Sequence, residues 1–153
     1  IKAGSQNDQL ICHTDFMATC ADILGVPLPK NSSVDGISIM PALFGEQIPN
    51  EREAVVHHSI SGKFAIRKGK WKLIFCPGSG GWTSPNDREA TKMGWPNIQL
   101  YNMETDMGEE NNVSADHPEI VEELTQLLTS YIENGRSTKG EKLKNDAKVK
   151  LWK

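Results

Sequence analysis

Four side chains in this sequence have the chemistry to hold a polar ligand: His57, His58, Trp82 and Trp95. An imidazole hydrogen-bonds anions and hydroxyls and changes charge close to neutral pH. An indole ring on a loop can stack on the face of a sugar. His57 and His58 are adjacent at the end of an expected strand, where successive side chains point to opposite faces, so only one can face a given ligand and a shared metal is disfavoured. The plainer readings are an ordinary sheet histidine and a small core beneath the tryptophan loop. Asp106, Glu109 and Glu110 suggest a calcium cluster, but their spacing lacks an EF-hand loop and a turn with solvated acids explains them. Arg136-Ser137-Thr138 could bind an anion, although an Arg near a helix C-terminus is commonly solvated. Cys12, Cys20 and Cys76 are too few for a disulfide framework and include no Cys-x-x-Cys pair.

The elements that must position these residues follow from periodicity. Phe16, Met17, Cys20, Ala21, Ile23 and Leu24 recur at helical spacing, with Thr14 as N-cap and Gly25 as terminator. Val26-Pro27-Leu28-Pro29 stops that helix, and Ser38 caps a second short one with Pro41 in its first turn and Gly45 at its end. Ala54 to Ser59 has strand composition, and 64–67 with 71–75 predicts a hairpin turning at Lys68-Gly69. Residues 77–97 are rich in Gly and Pro and lack a periodic pattern, as functional or mobile loops do. Gln99 to Met103 is a further strand. Asp116-His117-Pro118 opens a long helix whose stripe is Ile120, Val121, Leu124, Leu127, Leu128, Tyr131 and Ile132, ending at Asn134-Gly135. This order predicts an α+β fold: a small antiparallel sheet of three to four strands packed by one long C-terminal helix and preceded by two short helices. The two helices have no strand partner of their own, so they are expected to belong to a neighbouring domain.

Composition excludes some functions. With 153 residues, a net charge of -3 and a pI near 5.8, the chain lacks the basic surface that nucleic-acid binding needs. No apolar run approaches the roughly 20 residues of a membrane-spanning helix. The sequence opens Ile-Lys-Ala-Gly, without an initiator Met or a signal peptide, and is expected to be part of a longer polypeptide.

Four motifs in order carry a family likeness. They are His13-Thr14-Asp15-Phe16-Met17-Ala18-Thr19 through Leu24-Gly25-Val26-Pro27-Leu28-Pro29; Asp35-Gly36-Ile37-Ser38 with Pro41-Ala42-Leu43-Phe44-Gly45; Phe64-Ala65-Ile66-Arg67-Lys68-Gly69-Lys70-Trp71-Lys72-Leu73-Ile74; and Leu100-Tyr101-Asn102-Met103-Glu104-Thr105-Asp106-Met107-Gly108-Glu109 with Asn111-Asn112. Together they resemble the C-terminal portion of arylsulfatase A-like, formylglycine-dependent sulfatases over roughly residues 1 to 135.

The resemblance implies that residues 1–50 end a large α/β, alkaline phosphatase-like domain and that a C-terminal subdomain, 53–140, follows; beyond Gly140 the Lys-rich composition, nearly free of core residues, predicts a tail, 141–153, that docks or is partly disordered. It implies that the complete enzyme hydrolyses sulfate esters with a formylglycine nucleophile and a calcium ion. None of the three cysteines has Pro two and Arg four positions later, as the formylglycine motif requires. No catalytic or metal-binding residue is therefore carried over to this chain. It is expected to be inactive alone, to need a missing N-terminal sulfatase domain as partner, and to line a pocket for sulfated carbohydrate. The family resemblance places the parent in the periplasm, the secreted fraction or the lysosome. Two other readings are a free-standing carbohydrate-binding module and part of a related phosphodiesterase.

Overall fold

The computed structural model describes residues 1–49 and 52–152. They divide into two compact units, one of residues 1–55 with 134–144 and one of residues 56–133 with 145–153.

In the first unit, helix α1 spans Asp15–Ile23 and helix α2 spans Met40–Leu43. Thr14 stands at the N-cap of α1 but makes no capping bond. Its hydroxyl donates to the Asp35 carbonyl instead, at 3.1 Å. Asp15 takes over the organising role. Its carboxylate is fully buried, and accepts from the backbone N–H of Cys12 at 2.7 Å and of Ile37 at 3.0 Å, and from the Arg52 guanidinium. Thr19 extends the network by accepting from Ile39 N–H at 3.1 Å. Gly25 ends α1 at φ +65°, a conformation that costs glycine nothing. Ile39, not Ser38, is the N-cap of α2, although the Ser38 hydroxyl accepts from Met40 N–H at 3.3 Å. Residues 134–144 join this unit through Ser137, whose N–H and hydroxyl both donate to Asp35, at 2.7 and 2.8 Å.

The apolar stripe of α1 is not a core stripe here. Asp15, Ala18 and Thr19 are buried, whereas Phe16, Met17, Ile23 and Leu24 are exposed, Leu24 at 74%.

The second unit is a four-stranded antiparallel sheet in the order β1-β2-β3-β4, built from Val55–His58, Phe64–Lys68, Trp71–Ile74 and Gln99–Asn102. The β2-β3 turn is Gly69-Lys70, fixed by the Lys68↔Trp71 pair and by Gly69 at φ +54°. The registers line up Ile66, Leu73 and Leu100 on one face and Arg67, Lys72 and Tyr101 on the other, as the two-residue period requires.

Helix α4, Pro118–Asn134, covers the first of these faces. The Lys68–Glu123 ion pair at 2.8 Å and the Trp71–His117 ring contact at 4.9 Å fix its placement. Leu124 and Leu128 are buried with Ile66, Leu73, Leu100 and Phe75. Residues 145–152 belong to this unit, with Trp152 edge-on to Phe75 at 5.1 Å.

One element differs from the sequence reading: the stretch 77–97 contains helix α3, Asp87–Lys92. A full capping box holds it, in which the Asn86 side chain accepts from Arg88 and Glu89 N–H and Glu89 accepts from Asn86 N–H. With only Ala90 buried, six residues show no apolar period, and the local signal was the Asn-x-x-Glu spacing alone.

Candidate functional site

The site is built on the sheet face opposite α4. His57 and His58 lie on β1 and point to opposite faces, so the sheet separates them. The His58 ring rests on Phe64, 4.4 Å between centroids, on the α4 side. His57 shares the other face with Arg67 and Lys72, and both cations act on it. Partial desolvation is the main cause lowering the pKa of His57, and Lys72 and Arg67 add to it while Glu109 opposes them. The imidazole therefore favours its neutral form near pH 7, able to donate from one nitrogen and accept at the other.

Around His57 the second and third strands supply charge. Lys72 is paired with Glu109, a residue held at φ +57° in the turn that Asp106 organises. Arg67 Nε donates to the Gly69 carbonyl at 3.2 Å. On the same face Tyr101 donates to Gln99 Oε1 at 2.7 Å, and burial first, then Glu109 and Asp106, push its pKa up to about 12. Gln99 in turn donates to the carbonyls of Cys76 and Gly78 at 2.6 and 2.9 Å. Cys76 is buried, and desolvation together with Asp87 raises its thiol pKa to about 11. It is a protonated, inert thiol at neutral pH.

Trp82 and Trp95 are both exposed, at 88% and 47%. Trp82 sits at the tip of the glycine-rich loop, and Trp95 follows α3, its N–H donating to Ala90 O at 3.0 Å. A cleft of about 290 Å³ opens nearby in sequence, lined by Lys63, Phe75, Cys76, Pro77, Asn97 and Trp152. Sequence reading did not single out Arg67, Lys72 or Tyr101. Their signal was the strand alternation, which puts all three on the His57 face once the register is known.

Asp106 accepts from the N–H groups of Glu110 at 3.0 Å and Asn111 at 2.9 Å. It is thus a turn former rather than a metal ligand. Among the described residues no group of three or more His, Cys, Asp or Glu side chains converges to hold a metal ion. Arg136 is spent on its own turn, donating to Thr138 O at 3.0 Å. No helix among the described residues is long and apolar enough to cross a membrane.

A sheet packed on one face by a single long helix, preceded by two short helices and carrying the four motifs in order, defines a portion of a sulfatase. Comparison with known proteins gives the same family. The chain is 34% identical over 133 residues to an N-acetylgalactosamine-6-O-sulfatase of Bacteroides thetaiotaomicron, covering 82% of this chain and 24% of that protein. It is 28% identical to arylsulfatase K of Rattus norvegicus, covering 100% of this chain and 26% of the relative. Among solved structures, a 6S-sulf protein of Bacteroides thetaiotaomicron, from a locus for metabolism of multiple glycosaminoglycans, matches with a TM-score of 0.59 and 33% identity. That match covers 76% of this chain and 24% of the other. No family model matches the chain. The chain thus spans 24 to 26% of the length of these curated relatives, and its likeness to them is consistent with a C-terminal sulfatase portion.

Proposed function

We propose that this chain is part of an enzyme that hydrolyses sulfate esters of sugars or glycosaminoglycan fragments, and that it forms one wall of the substrate pocket. The observation that carries this reading is the face holding His57 with Arg67 and Lys72. A neutral imidazole beside the Arg67 guanidinium and the Glu109-paired Lys72 complements a sulfate or a sulfated sugar by hydrogen bonding and by the charge of Arg67. The names of the relatives, which act on N-acetylgalactosamine-6-O-sulfate and other sulfated substrates, support the substrate class.

In this reading residues 1–50 close the large catalytic domain, 53–140 form the C-terminal subdomain, and 141–153 are its tail. The formylglycine, the calcium and the Asp and Asn side chains that bind it lie in the remaining sulfatase domain, which is this chain's partner. The complete enzyme acts in the periplasm, outside the cell or in the lysosome. His57, Trp82 and Trp95 contact substrate, and His58, its ring tilted against Phe64, supports β1.

The test compares the chain with the full-length enzyme. Alone, the chain is expected to turn over no aryl sulfate and to show no calcium-dependent shift in melting temperature. In the full-length enzyme, His57→Ala is expected to lower kcat/KM on a sulfated sugar by about 10- to 100-fold, the loss of one charge-assisted hydrogen bond. Turnover by the isolated chain, or a silent His57→Ala, sinks the proposal. The exposure of Trp82 favours a second reading, a free-standing carbohydrate-binding module. Calorimetric titration of the isolated chain with sulfated and desulfated oligosaccharides decides it, because a wall without its opposite side binds neither.

A further inference from the structure

We infer that Asp87 is a positioning residue that holds the glycine-rich loop 77–86 in one conformation, so that Trp82 stands as a fixed stacking platform for a sugar ring of the substrate. The inference rests on the reading above that this chain walls a sulfated-carbohydrate pocket.

A loop reading Pro-Gly-Ser-Gly-Gly-Trp is flexible by composition, since each glycine loses more backbone freedom on ordering than any other residue. This one is held from several sides. One oxygen of the Asp87 carboxylate accepts from Gly78 N–H at 3.3 Å and Gly80 N–H at 3.0 Å, and the other faces Lys63 Nζ at 3.4 Å. Across the loop, Ser79 N–H donates to Pro85 O at 3.0 Å and the Ser79 hydroxyl to Thr83 O at 2.6 Å. Beneath it Gln99 holds the Gly78 carbonyl at 2.9 Å, and the capping box of α3 fixes the return strand through Ser84 and Asn86.

The glycines are there because the loop is packed so closely. A Cβ on Gly78 would lie 2.6 Å from the Asn86 carbonyl carbon, and one on Gly80, at φ +64°, would lie 2.9 Å from Ser59 Cβ. All this order surrounds a side chain that gains nothing from it within the unit, because Trp82 remains 88% exposed. A large ring left in water forgoes the stabilisation that its burial would contribute. Rigid support beneath an exposed indole is what pre-organised recognition requires, since the ordering cost is met before the ligand arrives. The apolar C–H face of a pyranose is the matching surface.

The experiment is steady-state kinetics of the full-length enzyme on a sulfated oligosaccharide. Trp82→Ala is expected to raise KM about tenfold, the factor that 1.4 kcal/mol of binding represents, with kcat within about twofold. Asp87→Ala is expected to do the same and to speed amide exchange at Gly78 and Gly80. Asp87→Asn, which keeps one acceptor oxygen for both amides, should recover most of the lost affinity. The double variant should be no worse than Trp82→Ala, because both changes remove one platform. If Asp87→Ala does not fold, Gly80→Ala replaces it, forcing the loop away from Ser59. A KM unchanged in Trp82→Ala, or raised there but not by disturbing Asp87 or Gly80, overturns the inference while leaving sulfate-ester hydrolysis and the role of the His57 face intact. Absence of any sulfated-sugar turnover by the wild-type enzyme overturns both.

Discussion

Among residues 1–55 a carboxylate, Asp15, is buried completely, whereas among residues 56–133 the fully buried large side chains are Phe75, Ile66, Leu73, Leu100, Leu124 and Leu128. The first region is organised by a polar latch that joins Cys12, Ile37 and Arg52, and it leaves Phe16, Met17, Ile23 and Leu24 of α1 in water. The second has an apolar layer between sheet and helix and directs its polar side chains to the opposite face. The contrast separates two kinds of local order. A sheet and a helix can bury their own apolar faces against each other. A helix pair whose apolar stripe faces outward is held in place by specific hydrogen bonds instead, and its stripe suits the large domain to which the proposed function assigns it.

The strongest way to break this contrast is to remove the latch. Asp15→Ala is expected to cost ~3–5 kcal/mol, because it leaves the Arg52 guanidinium buried without its partner. Chemical denaturation should show the loss, and amide exchange should place it at Ile37 and Ile39. A variant as stable as wild type would show that the latch merely decorates a fold held by other contacts. Next comes the apolar layer. Leu124→Ala is expected to cost ~2–5 kcal/mol through lost burial and the cavity left behind, with exchange rising along α4 and β3. A cost below ~1 kcal/mol would mean that the helix is not what covers Ile66 and Leu73. Smaller still is the effect of the exposed stripe. Phe16→Ser with Leu24→Ser should change stability by no more than ~0.5 kcal/mol, yet reduce self-association of the chain in sedimentation. A large destabilisation would contradict the outward orientation of α1.

Much of the second region was legible in the sequence, because its signals are local. The alternation in Phe64 to Ile74, the Gly69 turn and the stripe from Ile120 to Ile132 each specify an element without reference to anything else. The family motif Asn111-Asn112 also gains a local reason: the Asn112 carboxamide accepts from Leu100 N–H and donates to Ile98 O, both at 3.0 Å, which staples the loop to β4. What escaped was non-local or too short. Asp15 looked like a first-turn acid, and nothing near it in sequence announces that Arg52 returns to meet it. Helix α3 carries a single buried residue, too few for a period. In the candidate site, the separation of His57 from His58 was legible from strand geometry, but the company of Arg67 and Lys72 needed the register.

The smallest expected effect sets two carboxylates side by side. Asp106 accepts backbone N–H groups much as Asp15 does, but in an exposed turn. The bonds from Glu110 and Asn111 hold its pKa below the usual 3.8. A carboxyl with a depressed folded-state pKa contributes stability above its unfolded value, and that contribution disappears as the pH falls through the folded one. Asp106→Ala should therefore melt slightly below wild type from neutral pH down to about pH 5, and the gap should close in more acid solution, where the wild-type carboxylate is also protonated. Solvent competes for the hydrogen bonds this carboxylate makes, whereas the Asp15 side chain is fully buried and its bond from Arg52 lies out of water. A gap as wide as that of Asp15→Ala would mean that burial is not what gives the first latch its strength, and the contrast between the two regions would then lie in their topology alone.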